Sequence, residues 1–253
     1  MIIPWTIKKQ LIYFLIFVLV ISAIIFFIWS GATKPTCFDN KQNQDEEGID
    51  CGGPCPKKCL GEVQNLIVLW SRFFEISKGK YDIAVLVKNP NLFLSITSLK
   101  YKFKIYDKDN ILIAIKEGET FITPGETFPI IETNVDVGLR TPGQVFIEFE
   151  KNFQWERTEK EKPPLVVSKK QFLNNPPFPR LIITLENKSV SVINNIDVAA
   201  VLYDKDKNAK GVSLTTVDSI AGESSQEVVF TWPQPFSEEP SSSEIFLRTE
   251  LAP

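Results

Sequence analysis

Residues 99–106, LKYKFKIY, alternate between polar and apolar side chains along most of their length. Successive side chains of an extended strand point to opposite faces, so the three lysines would share one face and the apolar residues the other. A period of two predicts a β-strand with one buried face and one solvent-exposed face. The run ends in Tyr106, and the DKDN sequence that begins at Asp107 is typical of a turn.

The same pattern returns about 97 positions later in the chain. The tetrapeptide YDKD at 106–109 recurs at 203–206, and a Gly-Glu turn recurs at the same offset. Upstream, VLVKNP lines up with ITLENK, which places Asn89 against Asn187. Several anchors in one order and nearly one register predict a duplicated domain of about 95 residues.

Both copies carry short alternating runs separated by turn residues, which predicts an all-β architecture. About seven strands in some 95 residues suit an immunoglobulin-like β-sandwich. We therefore expect two tandem sandwiches in series, at 64–157 and 165–253. The charged and Pro-containing segment 158–164 is expected to link them.

The N-terminus carries a long apolar run, LIYFLIFVLVISAIIFFIW, from Leu11 to Trp29. As a helix it would span roughly 28 Å, close to the thickness of a bilayer core, which predicts a transmembrane helix over 11–30 that contacts lipid through 11–29. Lys8 and Lys9 precede it, so residues 1–10 are expected in the cytoplasm and the rest of the chain outside. A cleaved signal peptide is the alternative, but the run is longer than a usual signal core of 7–15 residues.

All four cysteines, Cys37, Cys51, Cys55 and Cys59, fall in a segment at 37–59 that we call the collar. Outside the cytoplasm, clustered cysteines in even number predict disulfides rather than a zinc site. Three pairings are possible. A Cys37–Cys51 bridge, for example, would close a loop of about 15 residues and contribute about 3 kcal/mol.

The collar is also acidic. Its carboxylate and amide oxygens could bind Ca²⁺, which prefers such hard ligands. The alternative is a solvated acidic loop that needs no ion. The candidate ligands are Asp39, Asn43, Asp45, Glu46 and Asp50.

The collar resembles a Cys-rich motif of exported and surface-anchored bacterial proteins, C-x-D-G-x-x-N-x-x-E-x-x-x-D-C-G-G-x-C-x-x-C. Asn40 stands where the motif has Gly, and Cys59 comes one residue late. The resemblance implies an extracytoplasmic location. The matching residues are Cys37, Asp39, Asn43, Glu46, Asp50, Cys51, Gly52, Gly53 and Cys55.

The sequences KIYD at 104–107 and VLYD at 201–204 resemble the FxLYD family of small immunoglobulin-like domains in bacterial envelope proteins. Each copy has a strand that ends in Asn, then a strand that ends in Tyr-Asp, a polar turn and a Gly-Glu turn. Neither copy has Phe at the first motif position. The resemblance implies architecture and an envelope location rather than an activity.

Composition narrows the function further. The chain has no His, and 28 Lys+Arg against 31 Asp+Glu give a formal net charge of −3. The missing His removes the commonest general base, and the charge balance argues against a nucleic-acid partner. We expect a non-catalytic structural, adhesive or docking protein of the cell membrane, with an unidentified envelope or surface partner and no cofactor. A Ca²⁺-responsive surface element is the alternative.

Overall fold

The structure is a computed structural model, and it describes residues 5–30, 36–55, 59, 63–158, 162–175 and 178–249. Contacts divide the chain into two compact units, Met1–Cys59 and Leu60–Pro253. Within the described residues the first unit carries one helix, and all regular structure of the second is β. The expected all-β fold preceded by one N-terminal helix is confirmed. Most of the predicted 158–164 linker is described, but 159–161 lie outside the described residues.

Helix α1 spans Trp5–Ser30 and therefore begins earlier than the predicted 11–30. Its segment Ile7–Phe26 has a mean hydropathy of 2.4, and none of it is buried against protein. A helix of this length and composition can cross a membrane. A signal sequence near the N-terminus passes the same test of hydropathy, although its apolar core is usually shorter.

The collar follows in the first unit and is held by turns and two disulfides, Cys37–Cys55 and Cys51–Cys59. The prediction of disulfides is confirmed, and the pairing is interleaved, so the example bridge Cys37–Cys51 does not form. Gly53 has a left-handed φ of 55°, and a Cβ there would lie 2.2 Å from the Asp45 carbonyl oxygen. That position therefore requires glycine.

We call the second unit the β unit. Its first half contains two antiparallel sheets. One has the order β1-β2-β5; the other has the order β4-β3-β6, and β7 also pairs with β3. The strands are β1 Ile67–Ser77, β2 Lys80–Lys88, β3 Leu94–Asp107, β4 Leu112–Ile122, β5 Thr127–Asp136, β6 Pro142–Phe149 and β7 Glu156–Arg157.

The second half repeats this arrangement. Its sheets have the orders β12-β9-β8 and β11-β10-β13, which match β5-β2-β1 and β4-β3-β6 strand for strand. The strands are β8 Leu165–Leu173, β9 Arg180–Asn187, β10 Ile193–Tyr203, β11 Ala209–Ile220, β12 Ser225–Thr231 and β13 Ser242–Thr249.

Each half has its own apolar core between its two sheets. In the first, Phe103 and Ile105 of β3 pack with Phe128 of β5, and all three are fully buried. In the second, Leu185 of β9 and Phe230 of β12 pack with strand β10 in the same way. The predicted strand 99–106 lies within β3 with its apolar side chains inward, as alternation requires.

A third apolar cluster joins the two halves. Ala84 and Leu86 project from the other face of β2, and Ala199 and Val201 project from the other face of β10. Phe246 of β13 completes the contact. Strands β2 and β10 are therefore covered on both faces, which explains why their sequences are almost continuously apolar.

Candidate functional site

The Asp50 carboxylate ties the two ends of the collar loop together. It accepts hydrogen bonds from the backbone N–H of Asp39 at 3.0 Å and from the N–H of Asn40 at 2.9 Å. Asn40, which replaces the glycine of the motif, has a φ of 57°. Asparagine tolerates this left-handed conformation better than most residues, so the substitution preserves the turn.

Glu46 is the buried acceptor at the centre of the collar. Its Oε2 accepts from the backbone N–H groups of Asn43 and Asp50, both at 3.2 Å. Its Oε1 lies 3.1 Å from Sγ of Cys55. Cys37, Glu46 and Cys55 have the spacing of a metal site, but the two sulfur atoms are bonded to each other and offer no thiolate.

Asp39 and Asn43 form the second polar pair of the collar. Asn43 Nδ2 donates to Asp39 Oδ2 at 3.0 Å, and the Thr36 N–H donates to the same oxygen at 3.2 Å. These hydrogen bonds, the one from Asn43 foremost, lower the pKa of Asp39. Asn43 Oδ1 is buried and has no hydrogen-bond partner among the described residues. The exposed Asp45 occupies a left-handed turn position with a φ of 65°.

The collar hydrogen bonds link four of the five predicted Ca²⁺ ligands. The three carboxylates among these four residues, those of Asp39, Glu46 and Asp50, already accept hydrogen bonds from backbone N–H groups. These acids and the two disulfides thus organise the described part of the collar.

The junction between the halves holds a polar cluster that the sequence analysis did not identify. Arg248 of β13 is buried, and its Nε lies 3.4 Å from Oε2 of Glu126, in the turn before β5. Its Nη1 donates to Thr120 Oγ1 at 3.1 Å, and its Nη2 donates to the Phe121 carbonyl. Burial lowers the pKa of Arg248, although arginine stays protonated at any physiological pH.

Aromatic rings complete the environment of the guanidinium. The Arg248 Cζ atom lies 4.2 Å from the ring centroid of Phe121 and 4.1 Å from that of Phe128. Such cation–π contacts strengthen when the cation is desolvated, as it is here. A residue of one half is thus held by side chains of the other.

Glu126 has further partners at the same place. The Thr123 hydroxyl donates to its carboxylate, and Lys162 Nζ lies 3.7 Å from Oε1. A shallow pocket of about 190 Å³ opens beside them, lined also by Leu165 and Thr249. The Glu126 carboxylate is thus paired with Arg248 through Oε2 and with Lys162 through Oε1.

The aligned asparagines Asn89 and Asn187 have the same role in each half. Asn89 is buried and donates through Nδ2 to the carbonyls of Leu94 and Thr123 at 2.8 and 2.9 Å. Asn187 is buried and donates to those of Ser191 and Ile220 at 2.8 and 3.0 Å. Asn187 also begins an Asn-Lys-Ser glycosylation sequence, but its amide is engaged inside the fold.

The two Tyr-Asp sequences also have equivalent roles. Asp107 Oδ1 accepts from the N–H groups of Asp109 and Ile111, both at 2.9 Å. Asp204 Oδ1 accepts from the corresponding N–H groups of Asp206 and Asn208 at 2.9 and 2.8 Å. Each aspartate therefore closes a hairpin turn, as its position after the strand predicts.

Comparison with known proteins adds little. No family model matches the chain, and no curated protein matches it. Among solved structures, a transglutaminase from red sea bream is similar with a TM-score of 0.26 and 10% sequence identity. The similarity covers 75% of this chain but 30% of that protein, so this chain spans under a third of its length. A likeness this distant says nothing about activity.

Proposed function

We propose that the chain is a single-pass membrane protein of the cell envelope that displays two joined β-sandwiches outside the cytoplasm. Its role is non-catalytic: structural support, adhesion or the docking of a partner protein. The absence of His from the sequence supports a non-enzymatic role, since His is the commonest general base.

The observation that carries this proposal is the order of features at the N-terminus. A helix whose apolar segment Ile7–Phe26 has no protein cover is followed at once by two disulfides. Stable disulfides are typical of oxidising compartments outside the cytoplasm. Lys8 and Lys9 favour a cytoplasmic N-terminus. The apolar segment Ile7–Phe26 is longer than a usual signal core, which supports an uncleaved signal-anchor.

The hydrogen bonds of the β unit support a tandem repeat. Asn89 and Asn187, and likewise Asp107 and Asp204, make equivalent bonds at offsets of about 97 positions. Equal strand order in both halves supports the same view. We propose that both halves are immunoglobulin-like domains similar to the FxLYD family.

Partner docking has a physical basis in the sheet edges. The outer strands of each described sheet, such as β8 and β12, pair with a neighbour on one side only. A partner segment could add there as a further strand. The junction of Arg248 and Glu126 would present both halves to that partner in one arrangement.

Protease treatment of intact cells tests the topology. Protease added outside should remove the β unit of a C-terminally tagged chain and spare cytoplasmic proteins. A β unit that stays protected on intact cells, and is cleaved once the cell membrane is permeabilised, would place it in the cytoplasm. Capture of partners with the full chain in detergent would then identify what it docks.

A Ca²⁺-responsive surface element is the second candidate. One observation favours it: the buried Oδ1 of Asn43 lacks a hydrogen-bond partner among the described residues and belongs to the residue that contacts Asp39. Calorimetry of the full chain with millimolar Ca²⁺ should give heat that Asp39→Asn abolishes and Asp206→Asn, outside the collar, retains. No heat from the unsubstituted chain would eliminate this candidate.

A further inference from the structure

One end of the first half of the β unit exposes a group of apolar side chains, which we call the apolar end. They are Val63 at 40% exposed, Ile67 at 45%, Leu92 at 70% and Phe93 at 55%. Ile67 pairs with Lys88, the last residue of β2, and Leu92 and Phe93 lie in the loop that follows β2. The four side chains therefore occupy the same end of this half.

Hydrogen bonds fix this end in its exposed form. Asn91 Oδ1 accepts from the Gln64 N–H at 2.8 Å, and Asn91 Nδ2 donates to the Gln64 carbonyl at 2.8 Å. The Asn91 carbonyl in turn accepts from the Gly125 N–H at 2.8 Å. The strand entry and the loop are thus pinned together, and the loop cannot fold its apolar side chains inward without losing these bonds.

Two basic side chains lie at the apolar end. The Arg157 Cζ atom lies 5.7 Å from the Phe93 ring centroid, and Lys88 is exposed beside Ile67. Apolar tips with a basic rim are typical of surfaces that bind a bilayer at its interface, where the tips enter the acyl boundary and the cations meet anionic headgroups.

Covalent connectivity places this end within reach of the membrane that α1 would cross. The Cys37 and Cys55 Cα atoms are 5.6 Å apart, so the disulfide shortens the path from Ser30 to Gln64. About 16 residues remain on the shortest route instead of about 34, which limits the span to roughly 60 Å. Tethering at this range raises the effective concentration of the apolar end at the bilayer to about the millimolar range.

We infer that the apolar end is a membrane-contacting surface, and that Leu92 and Phe93 insert into the interface of an anionic bilayer. The inference rests on the proposed membrane anchor and extends it. The β unit would then be held against the bilayer at one end rather than swing freely on its tether. The sheet edges of both halves would keep one orientation toward the outside.

Fluorescence quenching by lipid tests the inference on the full chain. An environment-sensitive, thiol-reactive label is attached to the new cysteine of the Leu92→Cys variant. The native cysteines do not react because they form disulfides. The matched control is Leu139→Cys. Leu139 is 98% exposed and lies in the loop between β5 and β6, at the opposite end of the same half. Both are reconstituted in vesicles of phosphatidylcholine and phosphatidylglycerol that contain acyl-chain spin-labelled lipid.

The label at Leu92 should lose most of its emission, and the label at Leu139 should keep it. A second labelled variant, Val63→Cys, should behave like Leu92→Cys and covers the case in which one substitution perturbs the loop. If the chain floats with the vesicles but neither label at the apolar end is quenched more than the control, the inference is wrong and the anchor stands. If the chain does not float with the vesicles at all, the anchor and this inference fail together.

Discussion

Arg248 Nε lies 3.4 Å from Glu126 Oε2, although the two residues belong to opposite halves of the β unit and are 122 positions apart in sequence. Both side chains are buried, so neither charge has much access to water. A buried ion pair gains little overall, because desolvation offsets the attraction, but it is costly to break on one side. We therefore expect the packing of the two halves to depend on this pair.

Replacing Arg248→Met tests this link. The variant leaves the buried Glu126 carboxylate with Lys162, 3.7 Å from Oε1, as its remaining cation, and we expect the free energy of unfolding to fall by about 3 kcal/mol. Chemical denaturation of the detergent-solubilised chain, monitored by tryptophan fluorescence, measures the change in the free energy of unfolding.

Arg140→Met is the matched control. Arg140 also pairs with an aspartate, Asp107, but its side chain is 53% exposed. Asp107 is buried, but it keeps its two backbone N–H donors when Arg140 is removed, so we expect a smaller loss of about 1 kcal/mol. Equal losses for the two variants would show that the Arg248 contact is not a special link between the halves.

Asn89→Ala and Asn187→Ala should destabilise the β unit by similar amounts. Each removes an amide that satisfies buried carbonyls, and we expect a loss of about 2–4 kcal/mol from each. Asn152→Ala, at an exposed position, should change stability by no more than about 0.5 kcal/mol. A large loss from one asparagine and none from the other would contradict the equivalence of the halves.

The strands were predictable where one face is solvent-exposed. The alternation at 99–106 predicts β3 because Lys100 must stay in water while Phe103 must not. Strands β2 and β10 carry nearly unbroken apolar runs, which indicate cover on both faces. Residues 83–87 do not indicate which part of the chain covers the second face of β2, so the third apolar cluster could not be predicted.

The candidate sites divide in the same way. The collar was visible in sequence because its cysteines and acids are neighbours along the chain, yet their spacing allowed three disulfide pairings. Arg248 left no local pattern, since its neighbours Leu247 and Thr249 are ordinary strand residues and its partner is distant. A contact between residues so far apart in sequence depends on how the sheets of the two halves pack, and a short sequence motif does not encode that packing.

Stability of the β unit should fall in acid because two turns depend on ionised aspartates. The N–H groups of Ile111 and Asn208, first among their partners, hold the pKa of Asp107 and Asp204 below the ordinary value. The contribution of each carboxylate is complete above the unfolded pKa of about 3.9 and is lost as pH falls through the lower folded value. Thermal unfolding from pH 7 downward should show this loss below about pH 4.

The double variant Asp107→Asn/Asp204→Asn separates this effect from general acid unfolding. The amide oxygen can still accept the turn N–H groups but does not titrate. We expect the melting temperature of the variant to depend less steeply on pH below about 4 than that of the unsubstituted chain. Identical slopes would mean that other carboxylates cause the acid sensitivity.

The disulfide pairing predicts which cysteine pairs can be removed together. Cys37→Ser/Cys55→Ser deletes one bridge whole, so Cys51 and Cys59 should remain bonded and take up no maleimide. Cys37→Ser/Cys51→Ser breaks both bridges and should expose two reactive thiols, counted by mass spectrometry. Because the collar and the β unit are separate compact units, neither variant should lower the melting temperature of the β unit. Labelling of the first variant would overturn the pairing, and a lower melting temperature would show that the collar supports the β unit.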